Sequence, residues 1–207
     1  MIDARLRPVK DRVLDPVAAR VPGALTPLAL SGIALGLGLA AAGAAGAGWS
    51  VVAVAAWLTG RVVDGLDGAV ARQRGQASDV GGYLDIVLDT VVYAAVPLGV
   101  AAHLDERGAW IVVAVLLGAF YVNAVSWAYL SAVLEKRAVG AASTGESTTV
   151  TMPRGLVEGA ETIVIFTVAL AVPSVAPAVF GVMAGAVLVG AAARTVVAVR
   201  RLGGAHQ

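Results

Sequence analysis

Six apolar stretches, near residues 25–46, 50–70, 81–102, 109–134, 156–174 and 176–199, dominate this chain. Each approaches the roughly 20 residues that a helix needs to cross the hydrocarbon layer of a bilayer. In lipid the backbone must satisfy its own hydrogen bonds, which leaves helices as the fitting element for runs of this kind. The overall balance agrees, with 58% hydrophobic and 14% charged residues among 207. The expected fold is therefore an all-α, polytopic membrane protein. We take residues 1–207 as a single integral membrane domain, with an interfacial N-terminal segment over 1–22 and a six-helix bundle over 25–199. Cysteine is absent, which excludes disulfide frameworks, thiolate chemistry and sulfur-ligated zinc. About twenty mixed residues precede the first apolar run, so no cleavable leader is expected.

Basic residues orient the bundle. Arg5, Arg7, Lys10, Arg12, Arg20, Arg72, Arg74, Lys136, Arg137, Arg154, Arg200 and Arg201 fall on one side of the six spans, and only Arg107 falls on the other. Both termini and the 71–80 loop are expected to be cytoplasmic, in a protein of the cell membrane. Residues 3–20 read as an interfacial helix with Leu6, Val9, Val13, Leu14 and Val17 on the headgroup layer; a basic topogenic tail is the alternative. The pairs Gly32/Gly36 and Gly181/Gly185 have the spacing of close helix packing. Residues 138–149 read as a loop or cytoplasmic flap. His103 and His206 read as solvated bystanders, and the four tryptophans as interface or packing aromatics.

Against this apolar background, Asp64, Asp67, Asp85 and Asp89 stand out. An ionisable residue at the bilayer centre costs roughly 2.5–3.5 kcal/mol even on the lenient insertion scale, so the charge has to be neutralised. Spacings of three and four residues put each pair on one helix face, and a short loop makes the two helices antiparallel neighbours with the pairs facing each other. Oxygen-only ligands suit Mg²⁺, Mn²⁺ or Ca²⁺. Two such ions shared by four carboxylates would leave open positions for a phosphate ester. Gly68 and Gly81 would let a ligand approach the backbone closely. Arg72 offers a forked donor for phosphate oxygens, and Ser78 a hydroxyl for the same group. The alternative is ion pairing alone, Asp64 with Arg61 or Arg72, with the glycines serving helix packing.

The pattern Asp-x2-Asp-Gly-x2-Ala-Arg-x8-Gly-x3-Asp-x3-Asp resembles the signature of the CDP-alcohol phosphotransferase family, with every position met, by Asp64, Asp67, Gly68, Ala71, Arg72, Gly81, Asp85 and Asp89. The resemblance implies a homodimer in which each subunit uses two divalent ions, Mg²⁺ first and Mn²⁺ second, and a CDP-linked donor. It further implies that Asp64, Asp67 and Asp85 bind metal, that Asp89 touches a metal and serves as general base, and that Gly68, Ala71, Arg72 and Gly81 line the CDP site. The expected enzyme is a phosphatidyltransferase that moves a phosphatidyl group from CDP-diacylglycerol to a small polar alcohol and releases CMP, with membrane lipids and not nucleic acid around it.

Family members with phosphorylated acceptors, such as phosphatidylinositol phosphate synthases, tend to carry Glu-Arg-x-x-Glu-Arg in the fifth span. This chain has Glu158-Gly159-Ala160-Glu161-Thr162, which keeps the acids and lacks both arginines, an argument against a phosphorylated acceptor. Arg154, Glu158, Glu161 and Arg194 form the expected acceptor pocket, with Lys136 at its margin. Where the family often has Pro-Asn-x-x-Thr, this chain has Pro22-Gly23-Ala24-Leu25-Thr26, so a contact near the nucleotide is missing. Two alternatives remain: a soluble CDP-alcohol donor with a lipid acceptor, and a divalent-cation transporter. The second predicts acids continuing into the outer half of the helices, where the sequence has none.

Overall fold

The structure, a computed structural model, describes residues 12–137 and 157–203. Within them the chain is helical throughout: α1 (Pro27–Gly46), α2 (Ser50–Gln73), α3 (Asp79–Leu104), α4 (Arg107–Lys136), α5 (Gly159–Ala171), a 3-10 turn (Pro173–Val175) and α6 (Ala176–Gly203). Residues 12–18 form a further helical segment ahead of α1. Local signals start the helices. The Thr26 side chain accepts from the Ala29 N–H at 3.1 Å with Pro27 in the first turn of α1, and Ser78 accepts from the Gly81 N–H at 3.2 Å to start α3. Both satisfy amide donors that have no partner inside the helix.

Four helical runs are long and apolar enough to cross a membrane: α1, α3, α4 and Pro173–Arg200. The other two apolar stretches are helical but fall short for separate reasons. In α2 the charges of Arg61, Asp64, Asp67 and Arg72 dilute the apolar run, and α5 has only 13 residues.

The helices form two groups. α1 packs against both α2 and α3, α4 packs against α6, and α5 bridges the groups by lying against α2 and α6. The expected pair α2 and α3 do face each other, but through side chains: Arg61 bonds to Asp89 and Trp57 lies against Tyr93, while their backbones stay apart with α1 packed against both. Glycines at other positions than expected allow this. A methyl on Gly99 would run into the Ala42 backbone, and one on Gly38 into the Val92 side chain, so α1 and α3 meet nearly backbone to backbone. A Cβ at Gly32, Gly36, Gly181 or Gly185 would meet nothing within 4 Å, so neither pair serves packing among the described residues.

The main core surrounds Trp57, Val92, Val96, Leu116, Phe166, Leu170, Phe180 and Met183, all buried. A smaller cluster lies under the N-terminal segment, where Leu14 and Ala18 pack on Leu30, Leu66, Ala69 and Val70. Leu14 thus faces the bundle, not the headgroup layer, while Val13 and Val17 are exposed. Leu6, Val9, the 138–149 flap and Arg154 lie outside the described residues. Arg74 fastens the segment that enters α1: its guanidinium donates to the carbonyls of Val21 and Leu25, both at 2.8 Å, and of Pro22 at 3.3 Å.

Candidate active site

Where α2 and α3 diverge, their acidic residues turn toward one another. One carboxylate oxygen from each of Asp64, Asp67 and Asp85 lies within 4.8 Å of the other two. Asp67 is buried, Asp64 is intermediate and Asp85 is exposed, so the cluster runs from the protein interior to its surface. A third helix joins in: the Ser31 hydroxyl of α1 donates to Asp67 Oδ2 at 2.5 Å. Asp89, one turn beyond Asp85, lines the same narrow recess as Ser31, Ala34, Arg61, Asp64, Asp85 and Val92. There it accepts from Arg61 Nη1 at 2.5 Å, and the same nitrogen lies 3.6 Å from Asp64 Oδ2.

The donor set fits a hard divalent cation. It is all oxygen, its three members come from two helices held by a third, and their oxygens are close enough to share one ion. Like charges gathered in an apolar bundle repel, and a cation between them turns that repulsion into attraction.

The remaining motif positions cluster where α2 ends and α3 begins. A methyl on Gly68 would lie 3.4 Å from Arg72 Nη1, so the guanidinium folds back over this bare stretch of helix. Ala71 is partly buried, while Arg72, Ser78 and Gly81 are exposed. The Ser78 oxygen accepts the Gly81 N–H as the cap of α3; its own hydroxyl proton stays free to donate.

The residues assigned to the acceptor fall elsewhere. Glu158 and Glu161 form a reciprocal capping box at the start of α5, in which the Glu158 N–H donates to Glu161 Oε2 at 3.1 Å. Helix initiation thus accounts for their three-residue spacing. Arg194 is buried between α6 and α4. It donates to Asn123 Oδ1 at 3.0 Å and Ser126 Oγ at 2.7 Å, and its Nε has no partner among the described residues. Lys136 closes α4 and is exposed.

Two site residues lie outside the motif. Ser31, missed by the sequence analysis, is a single hydroxyl in an otherwise apolar helix, and that oddity was the available signal. Arg61, expected as a candidate ion-pair partner of Asp64, makes that pair at 3.6 Å and also reaches Asp89.

Comparison with known proteins agrees with this geometry. A family model described as CDP-alcohol phosphatidyltransferase matches residues 19–197. The inner membrane protein YnjF of Escherichia coli (strain K12) is 32% identical over 179 residues, 84% of each chain. The archaetidylinositol phosphate synthase of Methanothermobacter thermautotrophicus is 34% identical over 99 residues, 47% of this chain and 49% of that one. Among solved structures, the phosphatidylinositol phosphate synthase of Mycobacterium tuberculosis with CDP-DAG bound superposes with a TM-score of 0.70 at 22% identity, over 91% of this chain and 94% of that one. The same enzyme in complex with manganese and citrate gives a TM-score of 0.70 at 20% identity, over 89% and 88%. At that identity the likeness establishes the fold, while the matched length of the family model goes further: this chain belongs to the CDP-alcohol phosphatidyltransferases, a family of membrane transferases.

Proposed function

We propose that the protein makes a phospholipid by moving a phosphatidyl group from CDP-diacylglycerol to the hydroxyl of a small polar alcohol. The observation that carries this reading is the convergence of Asp64, Asp67 and Asp85 at the splay of two helices, with Asp89 one turn deeper. The CDP-DAG bound to the structurally similar mycobacterial enzyme supports the choice of donor.

Asp64, Asp67, Asp85 and Asp89 hold two divalent cations, Mg²⁺ first and Mn²⁺ as its substitute. When bound, these supply the positive charge that polarises the pyrophosphate and steadies the departing phosphate. Gly68, Ala71, Arg72, Ser78 and Gly81 receive the cytidine diphosphate, with Arg72 forking onto phosphate oxygens. Asp89 takes the proton of the acceptor hydroxyl. The acceptor oxygen bonds to the phosphorus that carries diacylglycerol, the bridging P–O bond breaks, and the bridging oxygen leaves with CMP. The proton on Asp89 then returns to solvent.

All six apolar helices span the bilayer, and the chain works as one domain and as a homodimer. The N-terminal segment lies at the interface, with both termini and the site cytoplasmic. A donor held by its acyl chains enters sideways, and a water-soluble acceptor arrives from above. We assign Glu158, Glu161, Arg154 and Arg194 to that acceptor, of which Arg154 lies outside the described residues. The buried Arg194 guanidinium favours a second reading, in which the alcohol carries a phosphate, since an anion would complete its bonding.

The test is CMP release by purified protein given radiolabelled CDP-diacylglycerol, Mg²⁺ and, one at a time, inositol, inositol phosphate, glycerol phosphate, serine or ethanolamine. One productive acceptor identifies the reaction, and inositol phosphate or glycerol phosphate alone selects the second reading. No release with any acceptor, together with no donor binding, sinks both and leaves cation transport. Asp89→Asn is expected to abolish turnover and keep CDP binding; equal loss of both removes Asp89 from the role of base.

A further inference from the structure

Arg61 lies at the floor of the acidic recess and belongs to no position of the family motif. Its side chain is 6% exposed. In a helix bundle set in lipid, such a cation has to find its counter-charge inside the protein. It finds two, Asp89 at 2.5 Å and Asp64 at 3.6 Å, both through Nη1.

Two aromatic rings hold the guanidinium in this pose. Its Cζ is 5.0 Å from the Trp57 ring centroid and 5.7 Å from that of Tyr93, distances at which ring faces attract a cation. The rings are fixed in turn. Trp57 Nε1 donates to Thr167 Oγ1 at 3.1 Å, and Phe166 packs against both rings, tilted on Trp57 at 5.4 Å and edge-on to Tyr93 at 5.9 Å. Arg61 Nε is left buried without a partner among the described residues. An unsatisfied buried donor is costly, and the pose that tolerates it is the one that reaches both carboxylates.

Charge shows what this pose achieves. Four aspartates lie in and beside the recess, and Arg61 offsets one of their negative charges chiefly at Asp89, one turn beyond Asp85. A cation seated by Asp64, Asp67 and Asp85 meets the guanidinium only through Asp64, 3.6 Å from Nη1, whereas one beside Asp89 meets a guanidinium bonded to that carboxylate at 2.5 Å. We propose that Arg61 is a positioning residue that aims the Asp89 carboxylate at the acceptor hydroxyl and makes the ion next to Asp89 the weaker bound of two. This rests on the two-ion phosphatidyltransferase reading given above. A helix-insertion role would need only the charge, whereas positioning also needs the flat head that packs against two rings and so brings Nη1 to both carboxylates.

The deciding experiment uses full-length protein in detergent, with Mn²⁺ binding followed by electron paramagnetic resonance and CMP release assayed in parallel. In Arg61→Gln, the weaker Mn²⁺ ion is expected to bind about tenfold tighter while kcat falls about tenfold or more, the scale on which residues behind a metal site act. Disrupted folding would instead weaken both properties. In Arg61→Lys, both ions are expected to bind as in wild type and donor KM to stay within about twofold, with kcat still down about tenfold. Should Arg61→Gln not fold, the lysine variant decides by itself. Wild-type kcat in Arg61→Lys, or an unchanged or weakened ion pair in folded Arg61→Gln, overturns the inference alone. A wild-type protein that binds no Mn²⁺ overturns the phosphatidyltransferase reading and this inference with it.

Discussion

Ser31 shows how a side chain outside the motif can govern one within it. Its hydroxyl donates to Asp67 at 2.5 Å, and Asp67 is the buried member of the three-carboxylate cluster. A charge-assisted bond of that kind fixes which oxygen faces the ion. Ser31→Ala is therefore expected to weaken Mn²⁺ binding about tenfold, and Ser31→Thr to restore most of it; a binding isotherm for each variant checks this. The eight motif positions were legible because their spacing is local to one stretch of chain. Ser31 was not, because its partner lies 36 residues away, and of the two Arg61 contacts only the expected one with Asp64, three residues on, was legible, the one with Asp89 lying 28 residues away. The opposite happened at Glu158 and Glu161. Their spacing suggested a pocket, while a capping box gives the same spacing a local purpose.

Among the helices, the wedge of α1 between α2 and α3 sets the opening of the site. That wedge depends on contact without side chains at Gly99, where any Cβ would enter the Ala42 backbone. Gly99→Ala is expected to cost about 1–3 kcal/mol, the range for overpacking a tight interface, and to weaken metal binding as α3 moves off. Gly32→Ala, in open space on α1, is expected to stay within about 0.5 kcal/mol of wild type. Thermal unfolding of the two variants in detergent separates them. The existence and approximate bounds of six helices were readable from the length of the apolar runs. Which helix lies beside which was not, because with 25 glycines the small-residue spacings that mark close contact recur too often to choose among them. The short α5 was also hidden, since its apolar run continues through the 3-10 turn into α6.

Across the whole molecule, basic residues gather at one end, around Arg72, Arg74, Lys136 and Arg200, with Arg107 at the other. A chain without cysteine makes this orientation simple to test. A cysteine at the exposed residue Gln76 is expected to react with a membrane-impermeant maleimide only after cells are opened, and one at the exposed residue Glu106 in intact cells. The reverse pattern would turn the site to the outside. An expected orientation can be drawn from the sequence because it depends on counting charges, whereas the division into two helix groups depends on packing. One group, α1 to α3, carries every carboxylate of the cluster; in the other, α4 and α6 pack on each other and enclose Arg194. Substitutions far apart with no shared partners act nearly independently. On the function proposed above, a descendant of this gene would be free to change the alcohol it accepts by altering the second group, while inheriting intact the apparatus that breaks a pyrophosphate.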